Sequence, residues 1–341
     1  MTAMLSELQI LGVGFGFSRA KVLLTAVELG VFSCLGEHAM SAAELASALD
    51  LRARGVVDFF DTLLALGFLE RHEQDGERLY QNTEETAHFL DRASPGYIGG
   101  LLDLWNKRAY QFWDGLGESL KTGQPQNEVR NSDRPMFEVL YEEQARLQQF
   151  SNSMAILSRR NFQALSQKFD FSRYQTLCDV GGASGLLTRI VAAQHTHLQC
   201  ITFDLPQVAE IARAAIEKDQ LSARIEVRSG DFFKDGFPAA DVITMGMILH
   251  DWNLEKKLHL IRLAYAALPP GGVFIVVESL IDDERRENVV GLLTSLQMML
   301  EFGDAFDYTG ADFCGWCKEV GFEHCEVMHL NGPFSAGIAY K

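Results

Sequence analysis

The stretch Leu177-Cys178-Asp179-Val180-Gly181-Gly182-Ala183-Ser184-Gly185 decides the fold, because it joins an apolar strand-like run to a glycine-rich turn. A helix-like segment, Leu186–Gln194, follows at once. Glycines in such a turn let the backbone approach a ligand closely, and the first N–H groups of the following helix face that ligand. A dinucleotide fingerprint needs glycine at the third and sixth positions from Gly181, where Ala183 and Leu186 stand. The stretch therefore predicts a ligand-binding strand–turn–helix unit that does not bind a dinucleotide.

Strands and helices alternate from this stretch onward. The predicted strands are Thr176–Val180, Gln199–Phe203, Arg224–Val227, Asp241–Leu249 and Val273–Val277. The predicted helices are Leu186–Gln194, Val208–Lys218, Leu254–Leu268 and Asp312–Val320. Two final strands, Glu323–Leu330 and Phe334–Tyr340, are expected to form a hairpin through Asn331-Gly332. This alternation predicts an α/β fold with a Rossmann-like, doubly wound sheet over residues 171–341.

Acidic residues stand at the ends of three predicted strands, at the edge where open α/β sheets bind ligands. The pattern acidic–x–Gly–x–x–Ser–Gly, which begins at Asp179, is typical of proteins that bind S-adenosylmethionine. Asp204 is expected to bind the ribose hydroxyls, and Asp231 with Phe232 is expected to contact the purine. The residues predicted to bind this cofactor here are Asp179, Gly181, Gly182, Gly185, Asp204, Leu205, Gly230, Asp231 and Phe232.

The fourth predicted strand ends in His250-Asp251-Trp252, which places a histidine at the mouth of the cofactor cleft. A neutral imidazole is the natural general base near pH 7. Glu278 ends the next strand, where its carboxylate can hydrogen-bond one imidazole nitrogen and leave the other facing an acceptor. The two positions predict His250 as catalytic base and Glu278 as its partner.

Residues 1–95 are predicted to form a winged helix. A helix is expected over Ser18–Leu35, and a capping box at Ser41-Ala-Ala-Glu44 opens the next one. Another helix runs from Val56 to Leu66, and a two-stranded wing turns at Gln74-Asp75-Gly76. Residues 96–170 are predicted to be linking helices that line a substrate pocket.

The winged helix is interpreted as a dimerisation module rather than a DNA-binding one. Its candidate recognition segment carries Arg52 and Arg54 but also Asp58 and Asp61, so a positive surface for phosphate is missing. The apolar positions of the first helices exceed what one winged helix can cover: Phe15, Phe17, Val22, Leu23, Val27 and Leu29. We therefore expect a twofold homodimer, in which the first segment of one chain approaches the substrate pocket of the other.

The motifs taken together resemble the plant-type O-methyltransferase family, which includes caffeate, flavonoid and hydroxyindole O-methyltransferases and bacterial small-molecule relatives. The glycine turn, Phe203-Asp-Leu-Pro, Gly230-Asp-Phe-Phe, Leu249-His-Asp-Trp, Pro269-Pro-Gly-Gly and Val276-Val-Glu-Ser-Leu-Ile occur in the family's order and approximate spacing. The resemblance covers nearly the whole chain. It implies that S-adenosylmethionine is the cofactor, that His250 is the base, and that Trp252 packs near the adenine.

Further site residues are expected on the same basis. Met247 and Ser158 complete the predicted cofactor site. The predicted substrate-binding residues are Trp113, Phe150, Met154, Gln297 and Met298. The acceptor is expected to be a small, aromatic metabolite that is methylated on a hydroxyl oxygen.

The sequence departs from the family pattern at three positions near the predicted base. Asp307-Tyr308-Thr309 stands where the family carries Glu-Arg-Thr, so Asp307 is the candidate for the second acidic partner of His250. Gly246 replaces a lysine that often precedes the histidine by four residues, and Ser295 replaces an aspartate. These changes bear on the acceptor and on the strength of the base, and leave the fold and the cofactor unaffected.

Composition limits the classes of partner. The 341 residues carry a formal net charge of −16, which repels nucleic acids and anionic lipid surfaces. The sequence lacks a run of about 18 apolar residues and a secretory signal, so neither a membrane span nor secretion is predicted. Six scattered cysteines predict a reducing compartment, the cytoplasm; Cys314 and Cys317 resemble half a metal site, but no second pair at zinc spacing exists, so no metal is expected.

Three other functions remain open from the sequence. A methyltransferase acting on sulfur or carbon would keep the cofactor motifs but would depend less on His250. A related fold can also bind S-adenosylmethionine without transferring its methyl group. A winged-helix DNA-binding regulator is the third alternative, and the pairing of His250 with Glu278 argues against it.

Overall fold

The computed structural model describes residues 5–130, 136–141 and 143–341, apart from the side chains at positions 137 and 138. The chain forms two compact units, Met1–Tyr110 and Gln111–Lys341. Each unit has a hydrophobic core of its own.

The first unit is a helical domain with a small three-stranded sheet. Its helices are Glu7–Gly14 (α1), Gly16–Leu29 (α2), Val31–Leu35 (α3), Ala42–Ala48 (α4), Val56–Ala65 (α5), Glu84–Leu90 (α6) and Gly99–Leu104 (α7). Its strands are Met40–Ser41 (β1), Leu69–Gln74 (β2) and Glu77–Asn82 (β3), in the order β1-β3-β2. A π-helical turn, Trp105–Ala109, lies at the end of the unit, and the short helix Tyr110–Phe112 (α8) continues the chain into the second unit.

The winged helix predicted from the sequence is confirmed. The Ser41 hydroxyl accepts the N–H of Glu44 while the Glu44 carboxylate accepts the N–H of Ser41, as a capping box requires. One boundary differs: the helix predicted over Ser18–Leu35 is split at Gly30, which adopts φ 78°. That left-handed conformation ends α2, because glycine reaches it without strain.

The arginines of the candidate recognition segment are paired with neighbouring carboxylates. Arg52 lies 2.7 Å from Asp50, and Arg54 lies 3.7 Å from Asp58. These contacts reduce the positive potential available to a phosphate backbone. That the chain does not bind nucleic acid stays a prediction.

Helices α1 and α2 leave large apolar side chains exposed to solvent. Leu8 is 80% exposed, Val13 84%, Phe15 65% and Phe17 61%, whereas Val27 is buried inside the unit. By length and composition, Glu7–Leu29 is the one stretch among the described residues that could cross a membrane, with a mean hydropathy of 1.5. A helix that packs in a subunit interface has the same properties, so the stretch is weak evidence for a membrane.

The second unit contains a seven-stranded sheet, preceded by a helical segment. Its strands are Thr176–Val180 (β4), Gln199–Asp204 (β5), Ile225–Ser229 (β6), Val242–Gly246 (β7), Val273–Glu278 (β8), His324–Asn331 (β9) and Phe334–Tyr340 (β10). The strand order is β6-β5-β4-β7-β8-β10-β9: the first five strands are parallel, and β10 pairs antiparallel with both β8 and β9. The order reverses between β4 and β7, which is where ligands bind in open α/β sheets.

The helices described in this unit are Leu116–Thr122 (α9), Met136–Leu140 (α10), Gln144–Lys168 (α11), Leu186–Gln194 (α12), Ala209–Lys218 (α13), Phe232–Asp235 (α14), Leu254–Ala267 (α15), Val289–Phe302 (α16) and Gly310–Val320 (α17). Several of them cover the two faces of the sheet. Strand β8 shows the layering: Ile275 packs in the core beneath α11 and α12, and Phe274 packs in the core beneath α15 and α17. The doubly wound fold and its late hairpin, predicted from the sequence, are confirmed.

Two features of the second unit were not expected. Helix α16 was absent from the predicted elements. Cys314 forms a disulfide with Cys325, which is unusual for the reducing compartment predicted from the scattered cysteines. Cys317, the other half of the apparent metal pair, is a buried thiol, as are Cys178 and Cys200. Cytoplasmic localisation stays a prediction.

Candidate active site

The candidate site lies at the carboxyl edge of the parallel strands. Four of these strands end beside the residues that the sequence singles out: Asp204 ends β5, Asp231 follows β6, His250 follows β7 and Glu278 ends β8. Asp179 lies within β4, one residue before its end. Parallel neighbours share one edge, so the sheet brings these side chains together.

The glycine turn after β4 is closed tightly onto β5. Gly181 has φ 72° and donates its N–H to the Phe203 carbonyl at 2.8 Å. A Cβ on Gly182 would lie 2.2 Å from the Thr202 hydroxyl oxygen, so only glycine fits there. The backbone therefore lies flat against β5 and leaves room above it for a ligand.

Two carboxylates lie under this turn, Asp179 fully buried and Asp204 half-buried. Asp204 accepts the N–H of Ala183 at 2.8 Å and that of Leu205 at 2.7 Å. Asp179 accepts the Thr244 hydroxyl at 2.7 Å. Burial raises the pKa of Asp179 to about 7, and the nearby Asp204 adds to the rise. Burial likewise raises the pKa of Asp204 to about 6, against the two backbone hydrogen bonds.

These carboxylates match a ligand that brings positive charge and hydroxyl donors. Removing a carboxylate from water without a cation is unfavourable, and a cationic ligand relieves that cost. Beside them, the buried Thr202 hydroxyl has no hydrogen-bond partner among the described residues. A sulfonium nucleoside with a ribose diol and an ammonium group satisfies this set of acceptors.

An aromatic group lies next along the edge, beside Asp231. The Phe233 and Trp252 rings meet edge to face at 4.8 Å, and Phe232 lies 6.3 Å from Trp252. Asp231 caps α14 through the Phe233 N–H at 3.0 Å and lies 2.7 Å from the Lys234 ammonium, which lowers its pKa. Aromatic faces beside an ionised carboxylate suit a purine with an exocyclic amine.

Met247 and Ser158 lie on two further elements at this edge. Met247 follows β7 with φ 58°, a left-handed conformation that is strained for a residue with a side chain, and its N–H bonds the Val277 carbonyl. Ser158 is buried on α11, one turn before Phe162. A Cβ on Gly246 would lie 2.6 Å from the Phe162 ring, so α11 passes over the end of β7.

The His250 imidazole lies between two carboxylates. Its Nδ1 atom is 3.4 Å from Asp307 Oδ1, and its Nε2 atom is 3.4 Å from Asp251 Oδ1. The ring is 3% exposed. Asp307 is held in place by the Ser295 hydroxyl, which accepts the Asp307 N–H at 3.1 Å. Asp307, although one methylene shorter than glutamate, thus lies within ion-pair distance of the ring, but Nδ1 makes no hydrogen bond to any described residue.

Glu278 does not contact the imidazole as the sequence predicted. Its Oε1 atom accepts the backbone N–H groups of Ile248 at 3.3 Å and His250 at 3.2 Å. Glu278 is fully buried at the end of β8, and the chain leaving the neighbouring β7 presents those N–H groups to it first. The prediction that it hydrogen-bonds the ring is therefore wrong: Glu278 holds the backbone that carries the histidine.

The charges in this cluster are strongly coupled. Burial lowers the pKa of His250, but Asp307, Asp251 and Glu278 outweigh it and raise that pKa to about 10. Burial also raises the pKa of Asp251, to about 7, and that of Glu278. Without a bound cation, the neighbouring carboxylates therefore favour the protonated imidazole.

The predicted substrate residues lie on two helical elements. Trp113 is in a 3-10 turn, Trp113–Gly115, which packs against α16, the helix of Gln297 and Met298. Helix α16 also packs against the turn that carries His250, so these three residues lie on the side of the base. Phe150 and Met154 lie on α11, and the Phe150 ring is 6.4 Å from that of Tyr141. The Gln297 side-chain amide donates to the Glu301 carboxylate at 2.8 Å.

Sequence reasoning missed three residues of the site. Asp251 faces the second imidazole nitrogen, and its position next to His250 was the available signal. Tyr141 is electrostatically coupled to both Asp204 and Asp251, which, after burial, raise its pKa well above the usual value. Lys257 is completely buried on α15 near the same carboxylates. Its helical position gave no sign of burial.

Comparison with known proteins matches both units to one family. A family profile described as the O-methyltransferase domain matches residues 113–323, and one described as the O-methyltransferase dimerisation domain matches residues 12–92. The chain is 32% identical to the tetracenomycin polyketide synthesis 8-O-methyl transferase TcmO of Streptomyces glaucescens, over 97% of this chain and 96% of that protein.

Two further similarities extend over almost the full length. The 3-hydroxy-5-methyl-1-naphthoate 3-O-methyltransferase of Streptomyces sahachiroi is 30% identical, over 95% of this chain and 91% of that protein. The crystal structure of human N-acetylserotonin methyltransferase in complex with S-adenosylmethionine superposes with a TM-score of 0.89 at 26% identity. That match covers 100% of this chain and 99% of the human one.

Proposed function

The chain belongs to the O-methyltransferase family and uses S-adenosylmethionine, and we propose that it methylates a hydroxyl oxygen of a small aromatic acceptor with His250 as general base. The observation that carries the proposal is the imidazole held between Asp251 and Asp307 beside the glycine turn. When bound, S-adenosylmethionine supplies an electrophilic methyl group on a positively charged sulfur. The acceptor must then lose its proton, which is the work of a base.

The cofactor is assigned to the carboxylates and the aromatic group at the sheet edge. Asp204 binds the ribose hydroxyls, and Asp179 attracts the ammonium group. Asp231, Phe232 and Trp252 receive the adenine. The pKa values of Asp179 and Asp204, raised by burial, support this assignment, since both groups gain from a nearby cation.

His250 takes the acceptor's proton through Nε2, and Asp307 stabilises the resulting imidazolium at Nδ1. A phenol has a reference pKa of about 10, so a base whose own pKa lies above 6.5 matches it well. The positive charge of the bound cofactor opposes protonation of the ring, so cofactor binding prepares the base. Asp251, on the Nε2 side, is placed to share the proton with the acceptor.

An aromatic acceptor is supported by the residues proposed to line the pocket. Trp113 and Met298, on elements beside the base, and Phe150 and Met154, on α11, supply apolar and polarisable surface, and Gln297 supplies an amide for one polar group. Relatives named for a tetracenomycin 8-O-methylation and a naphthoate 3-O-methylation support the same class. We therefore assign a fused or substituted phenol as the acceptor that binds in this pocket.

We assign to the first unit the role of joining two chains in a homodimer. The match to the O-methyltransferase dimerisation domain and the exposed apolar side chains of α1 and α2 support that state. The interface would remove those side chains from water, which favours association.

The test is a small-molecule library assay with isotopically labelled S-adenosylmethionine and mass spectrometry of the product. Phenols should gain the label, with fragmentation placing it on oxygen. Label on carbon or sulfur, together with an active His250→Ala enzyme and a flat pH profile, would replace the proposal by methylation at those atoms.

A further inference from the structure

A lysine that the proposed reaction does not use lies behind the base. Lys257 is 0% exposed on α15, which is rare for a lysine, and its ammonium donates to the Trp252 carbonyl. The Nζ atom also lies 4.0 Å from the centre of the Phe306 ring and 5.6 Å from that of Tyr308. A carbonyl and two aromatic faces are partners for a cation, so the site is built to hold a charged ammonium.

The groups facing Lys257 are the carboxylates of the catalytic cluster. The Lys257 ammonium is attracted most strongly by the carboxylates of Glu278, Asp307 and Asp251. Asp304, shortly before Asp307 in the chain, attracts it less. Burial lowers the pKa of Lys257 to about 8, so the side chain is positive at neutral pH. Among the described residues, none of these carboxylates lies within 4 Å of the Lys257 ammonium. They therefore attract it by longer-range electrostatics, which burial screens less than water does.

The charge balance explains why a second cation is needed. Around the imidazole lie three carboxylates, Asp251, Glu278 and Asp307, with Glu301 acting on Asp251 from α16. If His250 were the only protein cation there, its loss of a proton would leave those carboxylates without compensation. Buried charges without partners are strongly unfavourable, so the imidazole would stay protonated and inactive as a base.

We propose that Lys257 is a positioning residue for methyl transfer: its buried ammonium fixes the Trp252 carbonyl and supplies the second positive charge against Asp251, Glu278 and Asp307, so that His250 can release its proton. This inference rests on the proposed role of His250 as base. It adds that Lys257, which contacts neither the cofactor nor the acceptor, adjusts the pKa of the base.

Three variants separate charge from packing. Lys257→Met keeps the volume and removes the charge. Lys257→Gln keeps a donor for the Trp252 carbonyl without charge, and Lys257→Arg keeps the charge. Lys168→Met is the matched control, because the Lys168 ammonium also donates to backbone carbonyls, those of His329 and Leu330, away from the cluster.

Two measurements test the proposal. In the full-length protein, NMR titration of the His250 ring, assigned by comparison with His250→Gln, should show its pKa raised by about one unit in Lys257→Met and Lys257→Gln. The acid limb of kcat/KM for the acceptor should move to higher pH by a similar amount. Lys257→Arg and Lys168→Met should leave both where they are in the wild type.

Each contrary result has a separate meaning. The proposal is overturned if the imidazole pKa of Lys257→Gln equals that of the wild type. It is also overturned if Lys257→Gln and Lys257→Arg both keep the wild-type acid limb of kcat/KM, because then only the hydrogen bond to the Trp252 carbonyl matters. If Lys257→Met does not fold, Lys257→Gln decides alone. A fully active His250→Ala enzyme would instead refute the proposed base, while the NMR titration would still test the charge of Lys257.

Discussion

The Glu278 carboxylate accepts the backbone N–H of His250 at 3.2 Å, and Asp307 is the acidic residue that faces the ring. One carboxylate thus holds the backbone that carries the histidine, and the other lies beside the ring and contributes most to raising its pKa. Replacing Glu278 and replacing Asp307 should therefore have different effects on activity.

Asp307→Asn should reduce kcat by about ten- to a hundredfold, because an amide stabilises imidazolium poorly and can favour the wrong tautomer. Glu278→Gln should cost less, since the amide oxygen can still accept both backbone N–H groups. The ranking reverses the order expected from sequence, in which Glu278 was the nearer partner. Steady-state kinetics with the true acceptor measure both, and a larger loss in Glu278→Gln would contradict this assignment of roles.

His250→Ala should lower kcat by about a hundredfold or more and leave the affinity for S-adenosylmethionine unchanged. Calorimetry with the cofactor is the control for the fold. Retained turnover in this variant would refute the general base.

The pH dependence of wild-type activity should show a raised pKa for His250. The base is the neutral ring, so activity is lost as pH falls through the His250 pKa. The surrounding carboxylates raise that pKa to about 10 without cofactor, and the sulfonium charge lowers it again. With saturating cofactor, the acid limb should therefore lie above pH 6.5, the ordinary histidine value. A limb below pH 6.5 would show that the carboxylates do not govern the ring.

Asp204→Ala should weaken S-adenosylmethionine binding at least tenfold, or about 1.4 kcal/mol, if Asp204 binds the ribose. Because Asp204 also accepts the N–H groups of Ala183 and Leu205, circular dichroism and Tm must show an intact fold. Asp231→Ala is a useful comparison, since its carboxylate is already paired with Lys234. Wild-type affinity in folded Asp204→Ala would remove the assignment.

The dimer should depend on the exposed face of the first helices. Leu8→Glu with Val13→Glu places two charges on side chains that are 80% and 84% exposed in the single chain. We expect a monomer by sedimentation at micromolar concentration, because charges in an apolar interface are unfavourable. Val57→Glu, on a residue that is 49% exposed on α5, should leave the dimer intact. A wild-type monomer would contradict the prediction directly.

Much of the fold could be predicted because its signals are local. The strand–glycine turn–helix unit, the continuous apolar run of β8 and the capping box at Ser41 each depend on residues close in sequence. The resemblance to the plant-type family is likewise confirmed by the two family matches. Helix α16 was missed because its apolar residues lie nearly all round, which obscures the amphipathic period.

The site was predictable only in outline. The carboxyl edge of the sheet could be inferred, and so could the identity of the strands that end there. The choice between Glu278 and Asp307 as partner of the ring depends on where β7 leaves the sheet, which spacing does not encode. The burial of Lys257 and the Cys314–Cys325 bond depend on packing between elements distant in sequence. The roles of the site residues stay predictions.

The acidic lining of the cleft also bears on how the enzyme turns over. Methyl transfer removes the sulfonium charge, so the spent nucleoside leaves with one positive charge fewer than its precursor. Asp179 and Asp204, the carboxylates that we propose hold the cofactor under the glycine turn, should attract the product more weakly than the donor. Product inhibition should accordingly be mild at pH 8, where both carboxylates are ionised, and should strengthen relative to donor binding below pH 6, as they take up protons.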